Sequence, residues 1–470
     1  MILMKLMVLK KKNNNSISAD WVQPLRRFAI AFGFVCGLIP ALVTSGNAQT
    51  AGALANGLSA AATSRGGTMV AEHGDVLDAI EGNPAGLAGL RNRTLDVTGV
   101  GILAHGTFHN SVDDNGKLTG VGGALPYAAL GIPLGHNWTG ALAETPDAVM
   151  RVGWSYIDPP GTAGVTYGFQ NNRSEILAMR TSAGLAGAFG KKWTAGATIG
   201  LVVNENKLKV PYIFQEQPEL KGLKVLLDLK TRGLGWNGSF GAQFRPSDRL
   251  SLGAAWKSMT FVQAFGDANG SASALFTTLG IPADPAYHYR AEVDNQLPQT
   301  AAIGLSWQAT QRVRWSLEGD WTNWSDAFRN LPVKLTQGTN ATINSVAGSS
   351  SVTDEVPLHW RDQAIVRTGV ELPISQRWIV HNLVVRGGYS YMTNPVPSST
   401  LMPLTAAILH NTLSAGAGWG SERLHWDAAY QAQLPSSESV AHSSLQAGEY
   451  DNSRLQLMAQ SLTVSARFKF

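Results

Sequence analysis

The sequence predicts an all-β fold, a transmembrane antiparallel barrel of about 14 strands, from its composition, its alternation and the spacing of its connections. Charged residues are 15 % of the 470, against about 25 % in soluble domains. Glycine supplies 50 residues and tryptophan 14. Hydrophobic content is 44 % at a mean hydropathy of −0.04. Apolar residues are therefore neither missing, as in disorder, nor gathered into helical spans.

Alternation is clearest where Val313, Trp315, Leu317, Gly319 and Trp321 oppose Arg314, Ser316, Glu318 and Asp320. It recurs in Leu424, Trp426, Ala428 and Tyr430, and in the closing Leu462, Val464, Ala466, Phe468 and Phe470. One apolar and one polar face fits a sheet exposed differently on its two sides. These runs extend about ten residues, the span of a tilted membrane strand, whereas soluble strands average about five or six. Fourteen such segments start near Thr94, Gly120, Met150, Ile176, Trp193, Arg232, Leu250, Pro298, Arg312, Asp362, Ile379, His410, Arg423 and Ser461.

The connections alternate short and long. Gly190-Lys191-Lys192, Pro246 to Arg249, Ala309 to Gln311, Pro373 to Arg377 and Gly420 to Glu422 read as tight turns. Long loops are expected at 206–231, 266–297, 325–361, 393–409 and 435–460. Outer-membrane barrels have this rhythm of periplasmic turns and external loops, and an even strand count puts both ends in the periplasm. Trp154, Trp193, Trp236, Trp256, Trp307, Trp321, Trp378 and Trp419 sit near predicted strand ends, where interfacial girdles need them.

Residues 1–48 read as a signal peptide. Lys5, Lys10, Lys11, Lys12, Arg26 and Arg27 form the basic region, Phe28 to Val43 the apolar stretch, and Gly46-Asn47-Ala48 the cleavage site. Cleavage near Ala48 leaves 31 Lys/Arg against 32 Asp/Glu, so the net charge of +4 gives no argument for nucleic acid. Cys36 leaves with the signal, which removes disulfides, cysteine metal sites and thiol nucleophiles. No cofactor or metal is expected: the ten His are scattered, and Gly233 to Gly238 opens a strand where a dinucleotide loop needs a helix.

Residues 49–93 lack clean alternation and are rich in Ala and Gly. They are expected to plug a lumen wide enough for water, and residues 94–470 to form the barrel. Here Ser64-Arg65-Gly66-Gly67-Thr68, Asp78-Ala79 and Gly82-Asn83-Pro84-Ala85-Gly86-Leu87 resemble the hatch of the FadL/TodX (OMPP1) family of outer-membrane channels. Trp321-Thr322-Asn323-Trp324-Ser325 and Trp360-Arg361-Asp362 strengthen the likeness. The resemblance implies a monomer, not an enzyme, in the bacterial outer membrane. It implies uptake of hydrophobic small molecules, long-chain fatty acids or aromatic hydrocarbons, with lateral release by a kinked third strand. Partners so implied are outer-membrane lipid and, through the strand ending at Phe470, the barrel-assembly machinery.

Site residues follow. Asn83, Pro84 and Ala85 form a rigid turn, because Pro84 fixes φ and lacks an N–H, and are expected to gate. Gly153, Pro159 and Pro160 in and after the third strand are candidates for a wall gap. Val210, Ile213, Phe214, Leu223, Leu226, Leu275, Phe276 and Leu279 give two apolar loops suited to an external groove. Arg314, Arg367, Arg386 and Arg467 face the lumen and are candidate carboxylate partners, although Glu318, Asp320, Glu371 and Asp427 face it too, so mutual pairing is the competing role. Two other functions remain. A polar porin predicts that deleting 49–93 leaves solute permeability unchanged; an outer-membrane lipid hydrolase predicts esterase activity.

Overall fold

The computed structural model describes residues 56–119, 122–374 and 382–470. The expected signal peptide with its cleavage site near Ala48, the start of the N-terminal segment and Trp378 lie outside the described residues. Fourteen antiparallel strands form the wall: β1 (Thr94–His109), β2 (Gly116–Thr119 and Gly122–Gly135), β3 (Trp138–Ile157), β4 (Phe169–Phe189), β5 (Trp193–Ile213), β6 (Lys224–Ser247), β7 (Leu250–Lys257 and Thr260–Ser271), β8 (Ala286–Leu297 and Thr300–Gln308), β9 (Arg314–Thr322 and Asn330–Thr336), β10 (Val352–Pro357 and Gln363–Pro373), β11 (Val384–Met392), β12 (Asn411–Gly420), β13 (Leu424–Val440) and β14 (Ser453–Lys469). β14 pairs with β1 from Thr94↔Lys469 to His109↔Arg454, so the sheet closes. Closure leaves no edge strand running the length of the hydrocarbon, where an unpaired backbone group has no water to bond. Among the described residues no helix is long and apolar enough to cross a membrane.

Alternation sorts the side chains. Ile199, Leu201, Leu234, Trp236, Phe240, Ile303, Leu413 and Leu462 point outward and exposed, while Thr98, Thr198, Ser239, Gln243, Ser316, Ser414 and Ser465 point into the lumen and are buried. Trp154 departs from the expected girdle. It is wholly buried, and its indole N–H donates to the Pro403 carbonyl at 2.9 Å, because its place in β3 faces inward.

The expected boundaries need three corrections. The third strand begins at Trp138, not Met150, across a two-residue turn in which His136 and Asn137 both take positive φ, as a tight hairpin requires. Gly233 to Gly238 lies inside β6 rather than opening it. Much of the expected loops at 206–231, 266–297 and 325–361 is strand. The ten-residue yardstick applies only to the part inside lipid; above it, β6 to β10 run on as a sheet flap. There Tyr287, Tyr289, Ala291 and Val293 face inward and buried, with Arg290 exposed on the other face. β7 to β10 break at one level, at 258–259, 298–299, 323–329 and 358–362, where flap and wall separate.

Candidate functional site

The lower lumen is occupied by the N-terminal segment: α1 (Ala60–Ser64), α2 (Val76–Gly82) and a 3₁₀ turn (Pro84–Gly89). Polar bonds reach it from around the barrel. Glu318 on β9 accepts the Met69 and Val70 N–H groups, each at 2.7 Å. Ser465 on β14 accepts the Ala60 N–H at 2.8 Å, and Tyr127 on β2 donates to the Leu58 carbonyl at 2.7 Å. Ion pairs join Arg180 to Glu81 at 2.7 Å, Arg65 to Glu371 and Arg314 to Glu72 at 3.4 Å, and Arg467 to Asp75. Burial alone would raise the Glu72 carboxyl, but Arg65, Arg314 and the Ser316 hydroxyl hold it at about 2. Asp78 goes the other way: burial, with Asp75 beside it, pushes it up to about 7.

Asn83 is fully buried and caps the 3₁₀ turn. Its side-chain N–H₂ donates to the carbonyls of Val70 at 2.7 Å, Ala242 at 3.1 Å and Ala254 at 3.3 Å, while its oxygen accepts the Ala85 N–H at 3.1 Å. Pro84 occupies the first position of the turn, where no N–H is needed. The barrel wall comes close because β6 has glycine here; a methyl on Gly241 would run into the Asn83 amide.

The wall itself is interrupted between β2 and β3. Their ladders run from Ala128↔Glu144 downward and from Thr119↔Gly153 upward, in one register. Between them, among the described residues, 122–127 and 145–150 do not pair with each other. β3 carries its bulge against β4 between Pro146 and Ala148. Gly153 therefore sits where pairing resumes, and Pro159 and Pro160 lie in the loop beyond β3, outside the wall.

Two apolar cavities lie above the N-terminal segment. The outer, of about 140 Å³, is lined by Phe214, Leu223, Leu275, Phe276, Leu279 and Tyr287 among others. The inner, of about 130 Å³, is lined by Val210, Ile213, Met150, Phe328, Met402 and Leu404 among others. Leu208, Tyr212, Leu229, Leu331 and Val356 line both, so the two share a wall. Val210 and Ile213 are thus strand residues of β5 rather than loop residues, and Leu226, on β6, lines neither. Leu275, Phe276 and Leu279 ride on α3 (Ser273–Leu279). The flap's Tyr289, Leu335 and Val352 also line the outer cavity. Period-two alternation from Tyr287 to Asp294 was the signal for it.

The four lumen arginines are taken up by carboxylates. Arg314 meets Glu72 and Glu371, each at 3.4 Å, and Arg367 meets Glu318 at 3.3 Å and Asp320. Arg386 bridges Glu371 at 2.6 Å and Asp427 at 2.7 Å, and Arg467 meets Asp96 at 3.0 Å. None of the four lines either cavity. A buried cluster missed by sequence reading ties the external loops instead. Lys224 bonds Asp158 at 2.6 Å, the Pro159 carbonyl at 2.7 Å and Glu449 at 2.9 Å. Burial pushes Glu449 up to about 7 although Lys224 opposes the shift. Its members lie far apart in sequence, which carried no sign of their meeting.

A closed fourteen-strand barrel, with a chain segment in its lower lumen and apolar cavities above it, defines a class of outer-membrane transport proteins. The chain matches the outer membrane protein transport protein (OMPP1/FadL/TodX) family over residues 41–470 and belongs to it. Its place is therefore the bacterial outer membrane. The fold is similar to a FadL homologue of Pseudomonas aeruginosa, at 18% identity, TM-score 0.71, over 89% of this chain and 100% of that one. The toluene transporter TodX of P. putida gives 17%, 0.69, 88% and 99%. TbuX of Ralstonia pickettii, also a toluene transporter, gives 17%, 0.68, 88% and 99%. No curated protein matched the sequence.

Proposed function

We propose that the protein admits hydrophobic molecules across the outer membrane by passive, ligand-gated diffusion. The observation that carries this is the stacking of two apolar cavities sharing one wall above an N-terminal segment tied to the wall by polar bonds, beside an unpaired stretch of the barrel. The outer cavity collects the molecule, because apolar surface there is gathered under α3 and the flap. The inner cavity receives it next, and the N-terminal segment, filling the lumen below, acts as the hatch. Release is sideways between β2 and β3, where no ladder bonds have to break.

Long-chain fatty acids are the first substrate class of this reading, since a chain longer than either cavity fills both through the shared wall. Aromatic hydrocarbons, which TodX and TbuX carry, are the second. Asn83, Pro84 and Ala85 are the gate: the turn is held by directional bonds from one amide, and its small neighbours leave little to unpack when it shifts. Uptake of oleate and of toluene by cells carrying the wild-type or the Asn83→Ala, Pro84→Gly protein tests this. Slower uptake from a barrel that still folds is expected, and wild-type rates would overturn the gate. Growth on oleate versus toluene, with and without the gene, separates the two substrate classes.

A further inference from the structure

Asn206 stands on the inward face of β5 and is more than nine-tenths buried. Its amide N–H donates to the Thr231 hydroxyl at 3.0 Å, and its oxygen, also buried, has no partner. Turning the amide over would only exchange the atoms, since the Thr231 hydroxyl can donate as well as accept. Either way one polar atom of Asn206 is left over, and Asn206 lines the inner cavity. So does Thr405, from the loop between β11 and β12, whose buried hydroxyl oxygen is likewise unpartnered. Buried polar atoms without partners are uncommon, and each calls for an account.

The charged groups on the same lining are already matched. Among the described residues lining it, Lys207 is the single cation, and its ammonium bonds Glu205 at 2.8 Å and Glu175 at 3.3 Å. Glu175 is further held by Arg151 at 3.1 Å and Arg173 at 2.8 Å. Glu449 is held by Lys224. A carboxylate entering this cavity would lose its water and meet two acidic side chains with no unengaged cation to replace that water. A bare hydrocarbon would be accepted but would leave Asn206 and Thr405 as they are. A hydroxyl, which both donates and accepts, can pair with the leftover atom of Asn206 in either orientation of the amide.

Resting on the channel reading above, we infer that the inner cavity selects hydrophobic molecules carrying one neutral hydroxyl-type head group, an alcohol, a phenol or an un-ionised carboxylic acid, and that Asn206 is the selecting residue. A fatty acid passes this point as the neutral acid.

The test uses the full-length mature protein in lipid nanodiscs at about pH 8, where a benzoate is ionised and a phenol is not. Calorimetric titration compares para-butylphenol, butylbenzene and para-butylbenzoate, three probes with one frame and different heads. Binding of para-butylphenol is expected to be roughly tenfold or more tighter than that of butylbenzene, since a site built to bond a hydroxyl discriminates against the analogue lacking it. Para-butylbenzoate should bind weakest. Asn206→Leu should abolish the preference, bringing the phenol to the butylbenzene level. Thr405→Val, on a loop rather than in the wall, should narrow the same ratio if the leucine variant fails to assemble. Tightest binding by the benzoate, equal binding of phenol and hydrocarbon, or an unchanged ratio in the variants would overturn the inference while leaving the channel intact. Binding of none of the three would overturn the channel reading as well.

Discussion

The lower and upper halves of the lumen differ in what supplements apolar packing: Leu77, Ile80 and Leu87 pack on β2 to β4 below, but polar bonds to the wall are dense there and sparse above. Below, the N-terminal segment is fixed by directional bonds: Glu318 to two backbone N–H groups, Asn83 to three carbonyls, and arginine–carboxylate pairs around the wall. Above, Phe108, Trp154, Trp324, Phe328 and Trp360 join the inserted Leu401, Leu404, Ile408 and Leu409 in one apolar cluster, with cavities beside it. A polar network has few satisfactory arrangements, so it holds a segment in one place until enough bonds are exchanged together. Apolar contact is non-directional and lets a ligand slide. The difference teaches that the lower half is built to hold and the upper half to let pass.

The largest effect should come from breaking the lower half at Glu318. Glu318→Leu strands the Met69 and Val70 N–H groups and leaves Arg367 with Asp320 as its carboxylate partner, a loss of about 1–3 kcal/mol for each stranded buried donor. Protease digestion should then reach residues 56–93 while the barrel keeps its heat-modifiable mobility on gels; a protected segment would show that these bonds do not hold it. Next is Gly241→Ala, whose methyl meets the Asn83 amide. Overpacking here should cost about 1–3 kcal/mol and raise basal conductance in planar bilayers, whereas an unchanged trace would remove Asn83 from the closed state.

Glu449 in the upper half and Glu72 in the lower should answer pH with opposite slopes, while Asp78 in the lower half goes with Glu449. Glu449 rises from an ordinary 4.5 to about 7 in the folded protein, so its contribution to stability is full below about 4.5 and fades as pH climbs through about 7. Glu72 falls to about 2, so its contribution is present above 4.5 and is lost as pH drops through about 2. The protection of amides in 441–452, measured relative to their intrinsic exchange rates, should therefore fall between about pH 5 and pH 8, and Glu449→Gln should flatten that response. The smallest effect is expected at Leu279, which is more than half exposed on α3. Leu279→Ser should alter stability by no more than about 0.5 kcal/mol and slow capture slightly at low ligand concentration. A large loss in thermal unfolding would mean that α3 is structural cover rather than a landing surface.

Most of the wall was legible, because a residue's face in a strand follows from counting by two, and the count holds wherever lipid lies on one side and a polar lumen on the other. The flap above the membrane was misread as loop for a related reason: Arg290 and Tyr289 still alternate there, but without lipid their strand has no fixed length. The apolar residues of the cavities were visible as types. Their division between two cavities was not, since Val210 and Leu223 differ only in where β5 ends.

By itself the sequence determined the strand count, the family likeness, and for most of the wall which side chains face in or out, because local stereochemistry and hydropathy alternation suffice for those. Tertiary structure alone decided that Lys224 meets Asp158 and Glu449, that four arginines are consumed by carboxylates, that β2 and β3 part at 145–150, and that one atom of Asn206 goes unpaired. Those facts depend on distances between residues remote in the chain, and closing the barrel is what sets such distances.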